Sequence, residues 1–390
     1  MQFQLAPKDF IAVTPVQPVR RVASLDALRG FNILWIVGGD GAVWALASMC
    51  AGKGPVLSGI GQFLDHQLHH SAWEGLTFYD FIFPLFIFVT GVAIVFSLSR
   101  LVEREGLKEA HLRVLRRALL LYGLGIIYYG GISHHWTDIR YLGILQRIAL
   151  CYLFASLMFL NFNLGGMVAA FVALLVSYWA LMTYVPVPGI GAGSFGPDAN
   201  LANWLDAHYL PGRLWDLTRD PEGMLSTLPA IGSCLLGVFA GLLLNNERLV
   251  PQRKSLWLIG AGVVLVIAGH LWGLQFPVIK AIWTSSFVLV AGGYSLILLG
   301  VWHQIIDVWG LHAWATFFVW IGANAITLYF LNNIFGFEPF ALRFVGGDFG
   351  NLVDRLTTPG TGRLLTHLVG IGFAVALAGF FYRRKIFLRV

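Results

Sequence analysis

The sequence predicts an all-α integral membrane protein: a bundle of about ten transmembrane helices with both termini in the cytoplasm. Three observations lead there. The 390 residues are 57% hydrophobic and only 12% charged, about half the charged share of an ordinary soluble domain. Mean hydropathy is +0.72, and the apolar residues fall in runs of roughly the twenty residues needed to cross a bilayer. Basic residues cluster between those runs in alternation, which marks cytoplasmic loops. The formal charge of +6 therefore speaks for membrane orientation, and nucleic acid is excluded as a partner; the lipid bilayer is the expected surrounding.

Residues 1–22 contain Pro7, Pro15 and Pro18 and lack a long apolar core, so they are expected to be a cytoplasmic tail and not a signal peptide. Residues 23–390 form the membrane domain. Its spans are centred near Trp35, Phe86, Leu121, Leu150, Leu175, Leu235, Val264, Leu289, the stretch 316–330, and Gly372. Arg20, Arg21 and Arg29 precede the first span; Arg100 to Arg117 join the second and third; Arg248, Arg253 and Lys254 join the sixth and seventh; Arg383 to Arg389 close the chain. With ten spans all four groups fall on one side, so loops 51–75, 131–140, 186–223 and 334–361 face outward. Loop 186–223 is turn-rich at Pro186, Pro188, Gly189 and Gly191, carries a short amphipathic helix near 202–209, and is expected to form a structured lid. "DPEG" at its end can open the sixth span, with Asp220 as N-cap and Pro221 at the first helical position. Cys50, Cys151 and Cys234 are isolated, which leaves no disulfide framework or metal motif. The outward pair His134 and His135 lacks further ligands at metal spacing, so no metal is expected.

Polar groups inside apolar runs carry the functional information, because an intramembrane charge is costly. Asp40 lies eleven residues beyond Arg29, roughly 16 Å along a helix, in the outer half of span one, beside Gly38, Gly39 and Gly41. It serves either a ligand or an internal ion pair. Asp80 opens span two, where an aspartate also suits the helix dipole. Gln146 and Arg147 interrupt span four; an arginine there must face a carboxylate such as Asp26, a phosphate or water. Glu222, like Asp220, is either a helix-start acid or a group offered to a ligand. Asn324 in span nine either lines a channel or bonds a neighbouring helix. A transporter with a coupled polar pathway is one reading of such residues, although no inverted repeat is visible.

Taken in order, "SLDALRGFNILWIVGGD", "HHSAWEGLTFYDFIFPLFIFVTG", "YLGILQR", "DPEGMLSTLPAI", "LLGVFAGLLL" and "YRRKIF" resemble the heparan-α-glucosaminide N-acetyltransferase family and its bacterial relatives, from about Arg21 to the C-terminus. The residues present lack the lumenal domain and extra first span of the lysosomal enzyme, and Asp40 stands where that enzyme has asparagine, so a bacterial inner-membrane member is expected. The resemblance implies transfer of an acetyl group from cytoplasmic acetyl-CoA, as co-substrate, to an amino sugar or glycan on the periplasmic side. The family's catalytic histidine matches His70. It would act as general base or acetyl carrier, with Asp40 orienting its ring. Arg147, Gln146, Arg29 and Asn324 are the expected CoA contacts, and Trp73, Glu74, Asp80, Glu222 and Trp283 the expected acceptor contacts. Lys280 is placed near the same outer pocket. O-acetylation of envelope glycans is the alternative reaction, and monomer and homodimer both remain open.

Overall fold

The computed structural model describes residues 22–133, 135–216 and 218–387. The expected tail therefore lies almost wholly outside the described residues, and so does His134. What is described is all-α, with isolated two-residue bridges and no strand among the described residues. In chain order the helices are α1 (Ala23–Leu34), α2 (Asp40–Cys50), α3 (Pro55–Gln67), α4 (Phe78–Tyr128), α5 (Ile144–Asn161), α6 (Leu164–Tyr184), α7 (Leu201–Tyr209) and α8 (Thr227–Asn245). They continue with α9 (Pro251–Gly273), α10 (Ser285–Trp302), α11 (Thr316–Ala323), α12 (Ala325–Ile334), α13 (Phe337–Val345), α14 (Gly347–Leu356) and α15 (Thr361–Arg383).

Among the described residues, eight helical stretches are long and apolar enough to cross a membrane, and nine if α11 and α12, bent by 67° about Asn324, form one broken span. The ten-span expectation counts the arms 78–105 and 107–128 of α4 separately. The backbone does leave helical geometry between them, at Gly106.

Burial sorts the bundle into centre and rim. In α8 and α10, 78% of the span residues are enclosed, against 17% in α6 and α9. The outer two therefore present apolar side chains such as Val172, Val176, Val264 and Ile267 outward, as lipid contact requires. At the centre α4 and α8 cross where Gly91 meets Gly237. A Cβ on Gly237 would stand 1.9 Å from the Phe88 carbonyl oxygen, so only glycine allows the approach; helix pairs in membranes gain from such backbone contact.

The first span is not one helix. Trp35–Gly39 is a π turn in which Gly38 takes φ 134°, a conformation that only glycine adopts without strain. The carbonyl of Ile36 in this turn accepts a hydrogen bond of 3.0 Å from Asn332 Nδ2. The kink swings α2 against α15 and places Asp40 at the head of a new helix.

The connecting loops at one end are knitted together. Gly75 N donates to Val278 O, Arg213 N to Ile139 O, and Trp73 Nε1 to Phe195 O. Segment 186–223 is ordered by its own bonds, with Asn200 capping α7 through the Asn203 amide. The "DPEG" expectation needs correction here: residues 220–226 form turns, and α8 starts only at Thr227. The Asp220 carboxylate is taken by a stronger partner, described below.

Candidate active site

The histidine motif folds around the start of α4. Thr77 caps the helix, its Oγ1 accepting from the Asp80 amide while the Asp80 carboxylate accepts in return from the Thr77 amide. This is the reciprocal box that satisfies two orphan amides at a helix start. The same carboxylate has capacity left over: Asp80 Oδ2 accepts from Ser71 N at 3.0 Å, and Asp80 Oδ1 meets His70 Nδ1 at 2.8 Å. Lys280 Nζ lies 3.2 Å from Asp80 Oδ1 and 3.0 Å from His70 Nδ1.

A carboxylate can only accept and an ammonium can only donate, so Nδ1 cannot serve both neighbours; the shorter contact, 2.8 Å to Asp80, assigns the proton to His70 Nδ1 and leaves Lys280 to the carboxylate. The lone pair then sits on Nε2. Lys280 pairs with the carboxylate; burial pushes its pKa down, and the Asp80 charge opposes the shift. The His70 side chain is 57% exposed and that of Asp80 1%, so a solvent-facing imidazole is backed by a buried, anchored acid.

Asp40 does not touch His70. Its Oδ2 accepts from the Tyr79 hydroxyl at 3.1 Å, and the Tyr79 ring lies 4.8 Å from the His70 ring. The contact expected of Asp40 is made by Asp80, and Asp40 reaches the imidazole only through Tyr79. His69 faces elsewhere. Its Nδ1 bonds the Asp65 carbonyl of its own segment, and its ring stacks on Trp44 at 5.1 Å.

The other expected residues separate into three groups. Arg147 and Gln146, in the first turn of α5, are fully buried at the knitted end of the bundle. Arg147 Nη2 donates to Gly223 O and Ser226 Oγ, and the guanidinium lies 5.1 Å from the Trp283 ring. Its Nε and Nη1 have no hydrogen-bond partner among the described residues. Arg147 thus shares this end with His70, and Asp26 pairs with Arg29, at 3.4 Å, instead. Beside it Arg140 holds Asp220 Oδ1 at 2.9 Å and Glu222 Oε2 at 2.6 Å, between the Tyr129 and Trp215 rings. Burial works against the Arg140 charge, but these acids outweigh it and raise its pKa. Burial raises that of Glu222, with Arg147 and Arg140 pulling back. Glu222 is therefore engaged by Arg140 through Oε2 in the structure.

The second group is the loop: Trp73 lies under Arg219 at 5.2 Å, and Glu74 bridges to Ile279. The third lies deeper, where Asn324 at the α11–α12 bend and Asn32 on α1 are buried, with neither side-chain amide partnered among the described residues. Arg29 lies with Arg117 close enough for their charges to repel, and Arg117 stacks on Tyr152 at 4.7 Å.

Segment 186–223 contains a proton-sensitive contact. Asp206 on α7 accepts from the Met224 amide at 2.8 Å, and burial pushes its pKa up to about 7. A raised acid pKa means that the folded state holds a proton the unfolded segment has released, so docking weakens as pH rises from about 4 to about 7. Hydrogen-exchange protection of the 201–209 amides, corrected for intrinsic rate, is expected to fall over that window in the native chain and to stay flat in Asp206→Asn.

Sequence reading missed Tyr79, which carries no charge to draw attention, and His367, an intramembrane histidine in "LLTHLVGIG" that did offer a signal. The described residues contain no group of three or more His, Cys, Asp or Glu side chains placed to hold a metal.

Residues 21–177, which include Asp40, His70, Asp80 and Arg147, match the model of a domain of unknown function, DUF5009. Over 82% of the chain the sequence is 24% identical to heparan-alpha-glucosaminide N-acetyltransferase of Mus musculus, and over 95% it is 26% identical to that of Homo sapiens. The chain is a distant relative of these enzymes. The matched parts span 56% and 60% of the two relatives' own lengths.

Proposed function

We propose that the protein is a membrane acetyltransferase that moves an acetyl group from acetyl-CoA to the amino group of a glucosamine-type sugar, with His70 as the base. The observation that carries this reading is the His70–Asp80 pair. A buried carboxylate fixed by three protein donors holds Nδ1–H at 2.8 Å, leaving Nε2 basic at an exposed mouth. An imidazole so held presents its Nε2 lone pair and can accept a proton as the acceptor nitrogen attacks. Its partner carboxylate stabilises the imidazolium that results. In the transfer a C–N bond forms at the acetyl carbonyl, the C–S bond breaks, and the thiolate leaves as CoA thiol.

The activity for which the two relatives are named suggests the acceptor class, and the alternating basic loops support a cytoplasmic donor and an acceptor across an inner membrane. Arg147 is too near His70 to hold phosphates at the far face. That task falls to Arg29 with Arg117, two guanidiniums close enough to repel and offset by one carboxylate, Asp26, 3.4 Å from Arg29. The pantetheine amides would then meet Asn32 and Asn324, whose buried side chains need such partners. Catalysis by His70 through direct attack requires a ternary complex. Purified protein given labelled acetyl-CoA and a panel of amino sugars is expected to label glucosamine and to leave glucose unlabelled. Labelling of glucose but not glucosamine would point to hydroxyl transfer, and labelling of neither would remove the reading.

A further inference from the structure

A cavity of about 510 Å³ lies behind Asp40, between the kinked first span and α15. Asp40, Trp44, Asn333, Glu338, Arg363 and His367 are among the residues that line it. His367 is 3% exposed, yet neither ring nitrogen has a hydrogen-bond partner among the described residues. Glu338 Oε1 stands 3.6 Å from its Nε2, beyond hydrogen-bond reach. A Cβ on Gly41 would lie 2.3 Å from His367 Cε1, so the glycine lets the ring lie flat against α2. A buried imidazole left unpaired beside an open polar cavity is paid for only if something in the cavity bonds it.

The charges around His367 define that occupant. Asp40 comes from α2, Glu338 from α13, and Arg363 from α15 one turn away. Asp354 of α14 is already engaged, accepting from the Gly362 amide at 2.7 Å. The wall thus has two carboxylates for one guanidinium, which suits an ammonium and repels a polyphosphate. Trp44, whose indole stacks on His69, adds an aromatic wall, and the Asp40–Tyr79 bond joins the cavity to the His70 ring.

Resting on the acetyltransferase reading above, we propose that this cavity seats the acceptor's amino group, and that His367 is a second base for the reaction. An ammonium must lose two protons to become an amide. His367 takes the first, freeing the lone pair; the amine attacks the acetyl carbonyl; His70 takes the second as the C–N bond forms and the C–S bond breaks. One of the two protons leaves with the CoA thiolate as thiol, and the other passes to water. A hydroxyl acceptor has only one proton to lose, so a second base in the pocket favours amines.

The test compares wild type, His367→Gln and Glu338→Gln in two measurements. Acetyl transfer to glucosamine (kcat/KM) is followed from pH 6 to 9. In His367→Gln it is expected to fall about 100-fold at pH 6, the worth of a positioned base, and by less than tenfold at pH 9, where solvent supplies free amine. A deficit that does not change with pH would make His367 structural and overturn the proposal. Equilibrium binding of glucosamine and N-acetylglucosamine without acetyl-CoA is the second measurement. Wild type should prefer the amine, and Glu338→Gln, whose side chain is 48% exposed and whose folding is therefore little at risk, should lose several-fold of that preference. Equal binding of both sugars by wild type, or an unchanged preference in Glu338→Gln, would overturn the pocket assignment even if His367→Gln did not fold. Failure of wild type to acetylate any amine would sink the reaction, while the binding preference would still decide the pocket.

Discussion

In His70→Ala, single-turnover acetyl transfer is expected to fall by about 10²- to 10⁴-fold, the usual contribution of a positioned acid–base group, while folding and acetyl-CoA binding stay close to wild type. The side chain is more than half exposed and lies in the connection between α3 and α4, so its loss removes little packing. His69→Ala should cost much less, because that ring spends its Nδ1 on its own backbone and its face on Trp44. Asp80→Asn separates charge from shape. Its amide keeps much of the cap but can turn an N–H toward Nδ1, which would put the imidazole proton on Nε2 and abolish the base. Activity in Asp80→Asn should therefore approach that of His70→Ala, whereas Asp40→Asn, one tyrosine removed, should retain more. Full activity in His70→Ala would remove this histidine from the chemistry, and an Asp40→Asn defect deeper than that of Asp80→Asn would return the orienting role to Asp40.

That inversion of the two aspartates shows what a sequence can and cannot convey here. Hydropathy places the spans well, because each must bury or expose about twenty residues regardless of its neighbours. It also flags Asp40, Asp80, His70 and Arg147 as polar groups in unusual company. It does not convey azimuth. The π turn with Gly38 at φ 134° rotates everything after it, so Asp40 cannot be aimed by counting from Arg29. Asp80 had a sufficient local explanation as a first-turn acid, and that explanation is correct; the same carboxylate simply has oxygen lone pairs to spare for His70 and Ser71. The surroundings of Arg147 were hidden for a related reason. "DPEG" reads as a helix start, but Asp220 and Glu222 bind Arg140 across some 80 residues of sequence, and no local rule contains that pairing.

The largest effect on stability is expected at that pairing. Arg140→Met would leave Asp220 and Glu222, whose side chains are 0% and 10% exposed, facing each other without their shared cation. Breaking one side of a buried ion pair costs about 3–5 kcal/mol, because the remaining charge can neither reach water nor find another partner. Arg147 offsets part of this for Glu222, on which its charge acts, so the lower half of that range is the better expectation. The loss must also depend on pH. Without Arg140 the pKa of Glu222, already raised by burial, loses one of the charges that hold it down and rises further; the folded protein then binds a proton that the unfolded chain does not, and stability is recovered as pH falls through that raised value. Thermal unfolding in detergent should thus show a deficit that is largest near pH 8 and shrinks toward pH 5. The variant Arg140→Met/Asp220→Asn/Glu222→Gln should recover most of it at every pH, since amides of the same shape need no counter-charge. A triple variant as unstable as Arg140→Met alone would mean that the lost stacking on Tyr129 and Trp215, 4.5 and 4.6 Å from the guanidinium, holds this corner together instead of charge.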